Sequence, residues 1–243
     1  NKLENLKQHI DKYKYEKKIK EETKQFFYAR YANYRDSQAA KIVKELGVSV
    51  CPYCNQNHIN IIYKGNKTKL WGDLDHFYAK HIYPYLSMSI YNLVPACKVC
   101  NSSFKRGKEF NSSNISVYEK DLEELYRFTY YPIEYDSFIG DGDVDIEIEY
   151  CKSENARKVM NNQRALNVKE VYQYHTNIVK DYIKKRQIYD EAYIEDIYAR
   201  YSNLFSSKQE VLECLFDIGS DIKNQPLGKF RTDIAKELGL IDF

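Results

Sequence analysis

Two short stretches decide the fold: residues 51–54 read Cys-Pro-Tyr-Cys, and residues 97–100 read Cys-Lys-Val-Cys. Two Cys-x-x-Cys pairs can supply the four thiolates of a tetrahedral zinc site, which has no open coordination position. We therefore predict a structural zinc ion, Zn²⁺, bound by Cys51, Cys54, Cys97 and Cys100. The alternative is two unrelated pairs, one of them redox-active. The 42 residues between the pairs exceed the usual spacing, which indicates an inserted segment.

Composition and length favour a helix-rich globular protein. The chain has 243 residues and a net charge of +2, and charged residues make up 30% of it, with only nine glycines and five prolines. This balance excludes a polycation or an acidic tail protein. The sequence has no run of about 18 apolar residues, and its Lys-rich first twenty residues lack an apolar leader. We therefore expect a cytoplasmic protein.

Periodicity predicts an α+β, mostly helical fold with three regions: 1–50 helical, 51–110 a zinc-stapled core, and 111–243 mostly helical with an acidic strand-containing segment. Leu3, Leu6, Ile10 and Tyr13 form an apolar helical stripe, and Gly47 is a plausible helix end. Strands are predicted at 58–63, 68–71 and 143–150, and a short extended piece at 93–95. Helices are predicted at 97–106, as one long helix from about 154 to 192, and at 232–238.

The inserted segment contains residue types suited to phosphodiester hydrolysis. Asp75 and His76 are adjacent, Asn92 follows sixteen residues later, and Asn101 directly follows Cys100. Histidine is a suitable base near neutral pH, and carboxylate and amide oxygens are hard ligands for Mg²⁺ or Mn²⁺. Because neighbours on an extended strand point apart, one of the Asp75–His76 pair can bind metal while the other faces water. The Asn92 amide is placed to brace the loop that carries His76.

Basic residues follow Asn101 and are candidates for holding the phosphate. They are Lys105, Arg106 and Lys108. Residues 51–108 have eight basic and two acidic side chains, a net charge of +6, which suits a nucleic-acid substrate. Residues 121–149 have ten acidic and one basic side chain, so this stretch is expected to face a basic partner or to repel DNA.

This pattern resembles the HNH (ββα-metal) endonuclease motif in its zinc-stapled form. The matching residues are Asp75-His76, Asn92 before Leu-Val-Pro, and Cys97-x-x-Cys100-Asn101 with Lys105. The resemblance implies that His76 is the general base, that Asn92 is the structural middle residue, and that Asp75 and Asn101 bind one Mg²⁺ or Mn²⁺ ion. Two departures are Ala79, where many members have proline, and Asn101, where histidine is usual.

The fuller string around these residues resembles a narrower group, the HNH effectors of bacterial anti-phage systems of the Septu type, including those attached to retrons. That resemblance implies an ABC/SMC-like ATPase as partner protein and nucleic acid, most plausibly double-stranded DNA, as substrate. Two alternatives remain open. One is a stand-alone HNH restriction-type nuclease, and the other is a non-catalytic zinc-knuckle adaptor that would need neither His76, Asp75 nor Asn101.

Overall fold

The computed structural model describes residues 19–65, 67–119, 122–219 and 221–241. The predicted apolar stripe at residues 3–13 lies outside these ranges. The chain divides into two compact units, the first comprising Asn1–Tyr53 and Asn57–Lys120, the second Cys54–Gln56 and Asp121–Phe243. The predicted regions 1–50 and 51–110 thus fall almost entirely within the first unit.

The fold is α+β, as predicted, but only about half of the described residues are helical. The strands are β1 (Asn60–Lys64), β2 (Lys67–Trp71), β3 (Asp73–His76), β4 (Leu93–Ala96), β5 (Tyr126–Pro132) and β6 (Val144–Tyr150). The helices are α1 (Glu21–Leu46), α2 (Val99–Lys105), α3 (Glu154–Ala165), α4 (Val168–Tyr172), α5 (Thr176–Ile188), α6 (Glu191–Arg200), α7 (Lys208–Leu215) and α8 (Gly228–Glu237). The strands form three antiparallel pairs, β1–β2, β3–β4 and β5–β6.

The first unit packs α1 against the two small strand pairs. Helix α1 ends at Gly47, whose φ of 62° is the left-handed conformation that glycine adopts without strain. The hydroxyl of buried Tyr31 on this helix donates to the Leu74 carbonyl in β3, at 3.1 Å. Burial of Phe77, Leu93 and other apolar side chains around these strands fixes β3 and β4 against α1.

The second unit is built on aromatic packing around β5 and β6. The Phe128 ring on β5 stacks on that of Tyr172 at 4.3 Å between centroids, and both lie against Phe230 of α8. Buried tyrosine hydroxyls find acceptors, as the Tyr182 hydroxyl does at the Phe216 carbonyl. Part of the abundant tyrosine therefore lies in an aromatic core with paired hydroxyls, and other tyrosines, such as Tyr135 and Tyr174, are exposed.

The single long helix predicted from about 154 to 192 is wrong, because the chain breaks it into α3, α4 and α5. Asn167 adopts φ 51°, a left-handed conformation that ends α3. The Gln173 side chain then accepts from the backbone N–H of Ile146 and donates to its carbonyl. This pairing with β6 lies at the short 3₁₀ turn that separates α4 from α5.

Candidate metal centre and active site

The four predicted zinc ligands come together in a buried cluster. The Sγ atoms of Cys51, Cys54, Cys97 and Cys100 all lie within 4.8 Å of one another. A tetrahedral zinc ion with bonds of about 2.3 Å requires sulfur atoms about 3.8 Å apart, so this spacing fits the ion. The group can therefore hold a zinc ion.

Backbone and amide N–H groups point at these sulfur atoms. The Cys97 N–H donates to Cys51 Sγ at 3.3 Å, and the Cys100 N–H donates to Cys97 Sγ at 3.4 Å. The Asn57 side chain adds a longer contact to Cys97 Sγ, at 3.5 Å. Donors of this kind stabilise negative thiolates, so the surroundings suit a bound metal better than a set of neutral thiols.

The segment between the cysteine pairs forms an antiparallel strand pair followed by a helix. In β3–β4, Asp75 lies opposite Val94 and His76 opposite Leu93. Helix α2 is of the wide π type, and the Arg106 N–H donates to the Asn101 carbonyl five residues earlier. Such helical turns occur often at functional sites. Because α2 begins between the two cysteines of the second pair, the metal cluster fixes the start of this helix.

Strand β3 and helix α2 bring the candidate residues to one open cleft of about 270 Å³. Its lining includes His76, Asp75 and Asn101, which the sequence predicted to act together. It also includes Lys105 and Lys108. The residues with the predicted chemistry therefore share a cavity that is large enough for a phosphate group and water.

His76 is held as a neutral imidazole with one nitrogen fixed. Its Nε2 lies 3.0 Å from the Ser87 carbonyl, which can only accept, so Nε2 carries the proton and Nδ1 is left as the basic nitrogen. The Tyr31 ring packs edge-on at 4.5 Å between centroids. Burial lowers the pKa of His76 to about 4, against a smaller opposing effect of the Ser87 carbonyl. His76 is therefore present in its base form at neutral pH.

Titration of His76 should differ from that of an ordinary histidine. Because the lowered pKa means that the folded state resists protonation, we expect the imidazole to stay neutral through pH 6.5 and to gain its proton only near pH 4. Histidine-selective NMR, with the His76 signal identified by its loss in His76→Gln, measures this directly. A His76 midpoint at about 6.5 would contradict the desolvated environment.

The Asn92 side chain holds the loop that follows His76. Its Oδ1 accepts from the Tyr78 N–H at 2.7 Å, and its Nδ2 donates to the carbonyls of Tyr78 and Leu86 at 3.1 and 3.2 Å. The residue is fully buried. It therefore braces both ends of the loop over 78–86 and makes no contact of its own with the cleft.

We expect substitutions of Asn92 to destabilise the protein, and we expect a larger loss for Asn92→Asp than for Asn92→Ala. Asn92→Ala removes three buried hydrogen bonds to the backbone, so we expect a loss of about 3 kcal/mol in the free energy of unfolding. Asn92→Asp should cost more, because a carboxylate cannot donate to the two carbonyls and adds a buried charge. Urea denaturation measures the free energy of unfolding of both variants. Asn60→Ala is the control, because Asn60 is exposed. Equal stability of Asn92→Asp and the wild type would contradict the assignment.

Asp75 lies in a buried polar cluster with Tyr53 and Lys105. Its Oδ2 accepts from the Tyr53 hydroxyl at 2.7 Å and from the Lys105 ammonium at 2.6 Å. Lys105 also donates to the His76 carbonyl. The Lys105 side chain is only 2% exposed and that of Asp75 7%. Burial lowers the pKa of Lys105, and Asp75 opposes this shift.

The prediction that Lys105 contacts phosphate is therefore corrected. Its position at the end of α2 suggested an exposed cation, but the helix packs inward and the ammonium is taken up by Asp75 and the His76 carbonyl. The other two basic candidates are exposed. Arg106 ends α2 in a left-handed conformation with φ 43°, and Lys108 lies on the rim of the cleft. Of the three basic candidates, only Lys108 is both exposed and part of the lining of the cleft.

Removing one partner of the buried Lys105–Asp75 ion pair should destabilise the protein. Lys105→Met leaves the Asp75 carboxylate buried without its cation, and we expect a loss of about 3–5 kcal/mol in the free energy of unfolding. The double variant with Asp75→Asn should be less destabilised than the sum of the single changes, since it removes both charges. Urea denaturation of the four proteins gives the coupling energy. Additive losses would show that the pair does not interact.

Asn101 contacts Asp73, a carboxylate of β3 that is not among the predicted metal ligands. Its Nδ2 donates to Asp73 Oδ2 at 2.9 Å, and the Ser102 hydroxyl adds a contact at 3.3 Å. Asp73 and Asp75 occupy alternate positions on β3 and both line the cleft. The two-residue period of a strand was the available signal for Asp73. Tyr31 gave no comparable signal, because it lies outside residues 51–108. Tyr53 and Ser87 lie inside this stretch, but no spacing or residue pattern connects them with Asp75 or His76.

The acidic stretch at 121–149 is partly neutralised by ion pairs. Five of its carboxylates are paired, one with Arg127 of the same stretch and four with lysines outside it: Arg127–Glu149, Lys169–Glu147, Lys180–Asp143, Lys184–Asp141 and Lys223–Glu123. The formal charge of the stretch therefore overstates the negative potential that a partner would meet.

Comparisons with protein families, curated proteins and solved structures find no match to this chain. Within the part of the chain that the structure describes, no helix combines the length and apolar character needed to cross a bilayer.

Proposed function

We propose that this protein is a metal-dependent HNH endonuclease that hydrolyses phosphodiester bonds of nucleic acid. The observation that carries the proposal is the shared cleft, where a neutral imidazole with its Nδ1 unprotonated lies beside oxygen donors from Asp73, Asp75 and Asn101. Support also comes from the strand-strand-helix order of β3, β4 and α2, which is the order of a ββα-metal finger. The four-cysteine cluster would hold a structural zinc ion.

The oxygen donors fit a hard divalent cation. Asp75 and Asn101, with Asp73 nearby, would hold Mg²⁺ or Mn²⁺. Such an ion supplies positive charge that offsets the charge developing on the phosphate. Two donors oppose this fit, because the Lys105 ammonium and the Tyr53 hydroxyl both already contact Asp75 Oδ2.

The protein's own residues perform the remaining tasks. His76 takes a proton from water at Nδ1, while the Ser87 carbonyl keeps Nε2 protonated and fixes the direction of the ring. Asn92 keeps the loop behind His76 in place through the backbone of Tyr78 and Leu86. Arg106 and Lys108 lie near enough in the chain to hold the phosphate from the exposed side.

A nicking assay tests the proposal. Purified protein with its zinc is incubated with supercoiled plasmid and with structured RNA, with and without added Mg²⁺ or Mn²⁺. We expect cleavage of at least one substrate that depends on the added cation and that Asp75→Asn abolishes. A protein that binds these substrates but cleaves neither under any cation would instead be the zinc-knuckle adaptor.

We further propose that the protein acts as the effector of a bacterial anti-phage complex with an ABC/SMC-like ATPase. This step rests on the sequence resemblance to Septu-type effectors. Affinity purification of the tagged protein from its native host tests it, with a Glu124→Gln/Asp136→Asn variant, which removes two exposed carboxylates of the acidic stretch, as a second bait. Recovery of the protein without any ATPase, together with defined cut sites, would favour a stand-alone restriction-type nuclease.

A further inference from the structure

A second, larger groove adjoins the candidate active-site cleft. It has a volume of about 950 Å³ and runs between α1 and the β1–β2 hairpin. Asp73 and Leu74 of β3 line both cavities, as does Arg35 of α1. The groove therefore adjoins the cleft, and its volume is at the upper end of the range of about 300–1,000 Å³ for ligand sites.

The groove combines an exposed aromatic ring with unpaired cations. Trp71 is the only tryptophan of the chain and is 61% exposed, an unusual state for so large an apolar side chain. The Lys98 ammonium lies 5.9 Å from its ring centroid. Lys64 and Lys69 also line the groove, and among the described residues no ion pair engages these three lysines.

The hairpin register places these groups on one face. Ile62 lies opposite Lys69 in β1–β2, and Asn60 lies opposite Trp71. Because side chains alternate along a strand, Ile62, Lys64, Lys69 and Trp71 share one face of the hairpin, and all four line the groove, as do Thr68 and Leu70 of the other face. Two small residues of α1, Ala39 and Ala40, complete the lining from the helix side.

We propose that this groove binds a single strand of the nucleic-acid substrate, with an unpaired base stacked on Trp71. An exposed aromatic ring flanked by lysines is the combination that binds single strands, since every base offers a flat face and every nucleotide a phosphate. The bases of a duplex are already stacked on one another and cannot take this position. The inference rests on the proposed function, because it assigns the substrate of the same cleft.

The position of Trp71 places the stacked base near the bond to be cleaved. Trp71 lies four residues before Asp75 along an extended segment, so their Cα atoms are at most about 13 Å apart. The substrate is therefore a strand with an unpaired base beside the scissile phosphate, such as a loop, a flap or a single-stranded region.

Tryptophan fluorescence provides the test, since the signal comes from one residue. The zinc-loaded protein, without added Mg²⁺ or Mn²⁺, is titrated with a single-stranded DNA, an RNA of the same sequence and the DNA duplex. We expect quenching by one or both single strands and none by the duplex. Quenching by DNA alone or by RNA alone identifies the type of strand, and quenching by both indicates recognition of the shared base and phosphate chemistry.

Variants of the groove provide the second part of the test. Fluorescence anisotropy of a labelled single strand measures the affinity of each variant. Trp71→Ala should weaken binding about 5- to 150-fold, whereas Trp71→Phe should retain most of it. Tyr63→Ala is the matched control, because Tyr63 is a 66% exposed aromatic residue on the same hairpin that does not line the groove. Unchanged binding by Trp71→Ala, or equal quenching by the duplex, would overturn the assignment.

The outcomes separate this inference from the proposed function. A protein that binds single strands through Trp71 but cleaves nothing would contradict the nuclease and leave the groove assigned. A protein that cleaves with added cation, but whose Trp71→Ala variant binds single strands as tightly as the wild type, would contradict the groove alone.

Discussion

His76→Ala is expected to reduce cation-dependent cleavage by about 10²- to 10⁴-fold, the range typical of a lost general base. The effect follows from the position of His76 in the cleft and from the Ser87 carbonyl, which leaves Nδ1 as the basic nitrogen. Single-turnover cleavage of the substrate found in the nicking assay measures the rate of the chemical step.

Two controls keep this result specific to catalysis. Zinc content measured by atomic emission should stay the same in His76→Ala, since His76 is not among the clustered cysteines. His58→Ala is the matched variant, because His58 is exposed in the same unit and does not line the cleft. Full cleavage activity in a correctly folded His76→Ala protein would refute the assignment of the base.

Cys97→Ala is expected to abolish zinc binding and with it the folded first unit. Structural zinc sites contribute about 10 kcal/mol or more, which is comparable with the entire stability of about 5–15 kcal/mol of an ordinary domain. Cys97 is also the residue whose N–H and Sγ both take part in the hydrogen bonds of the cluster. Circular dichroism, solubility and the zinc-to-protein ratio measure the loss.

Cys214→Ala is the control for this change, since Cys214 is exposed on α7 and lies outside the cluster. Prolonged treatment of the wild type with a strong zinc chelator should reproduce the Cys97→Ala phenotype, and added zinc should reverse it. If Cys97→Ala folds normally, the first unit does not depend on the metal.

Features set by local sequence were predicted well. The spacing of the two cysteine pairs predicted the cluster, and Gly47 predicted the end of α1, because each depends on a few consecutive residues. The alternation at 143–150 likewise predicted β6 to within one residue. Convergence of His76, Asp75 and Asn101 on one cleft agrees with the residue pattern, although their chemical roles stay predictions.

Features set by distant contacts were not predicted. The break between α4 and α5 lies at Gln173, whose side chain bonds to the backbone of Ile146 in another element. Lys105 looked like a surface cation because the sequence next to it is basic, yet tertiary packing buries it on Asp75 thirty residues away. Such pairings have no periodic signature, so one sequence alone does not reveal them.

The buried ammonium of Lys105 gives the cleft an internal counterion. The Lys105 ammonium balances the charge of the Asp75 carboxylate in the absence of a divalent ion. Strand β3 and the loop over 78–86 can therefore fold without an unpaired buried negative charge. If the protein binds Mg²⁺ or Mn²⁺ at Asp75 as proposed, binding would exchange one cation for another. Cation affinity would then be moderate in the free protein, and occupancy would rise with any change that moves the Lys105 ammonium away from Asp75.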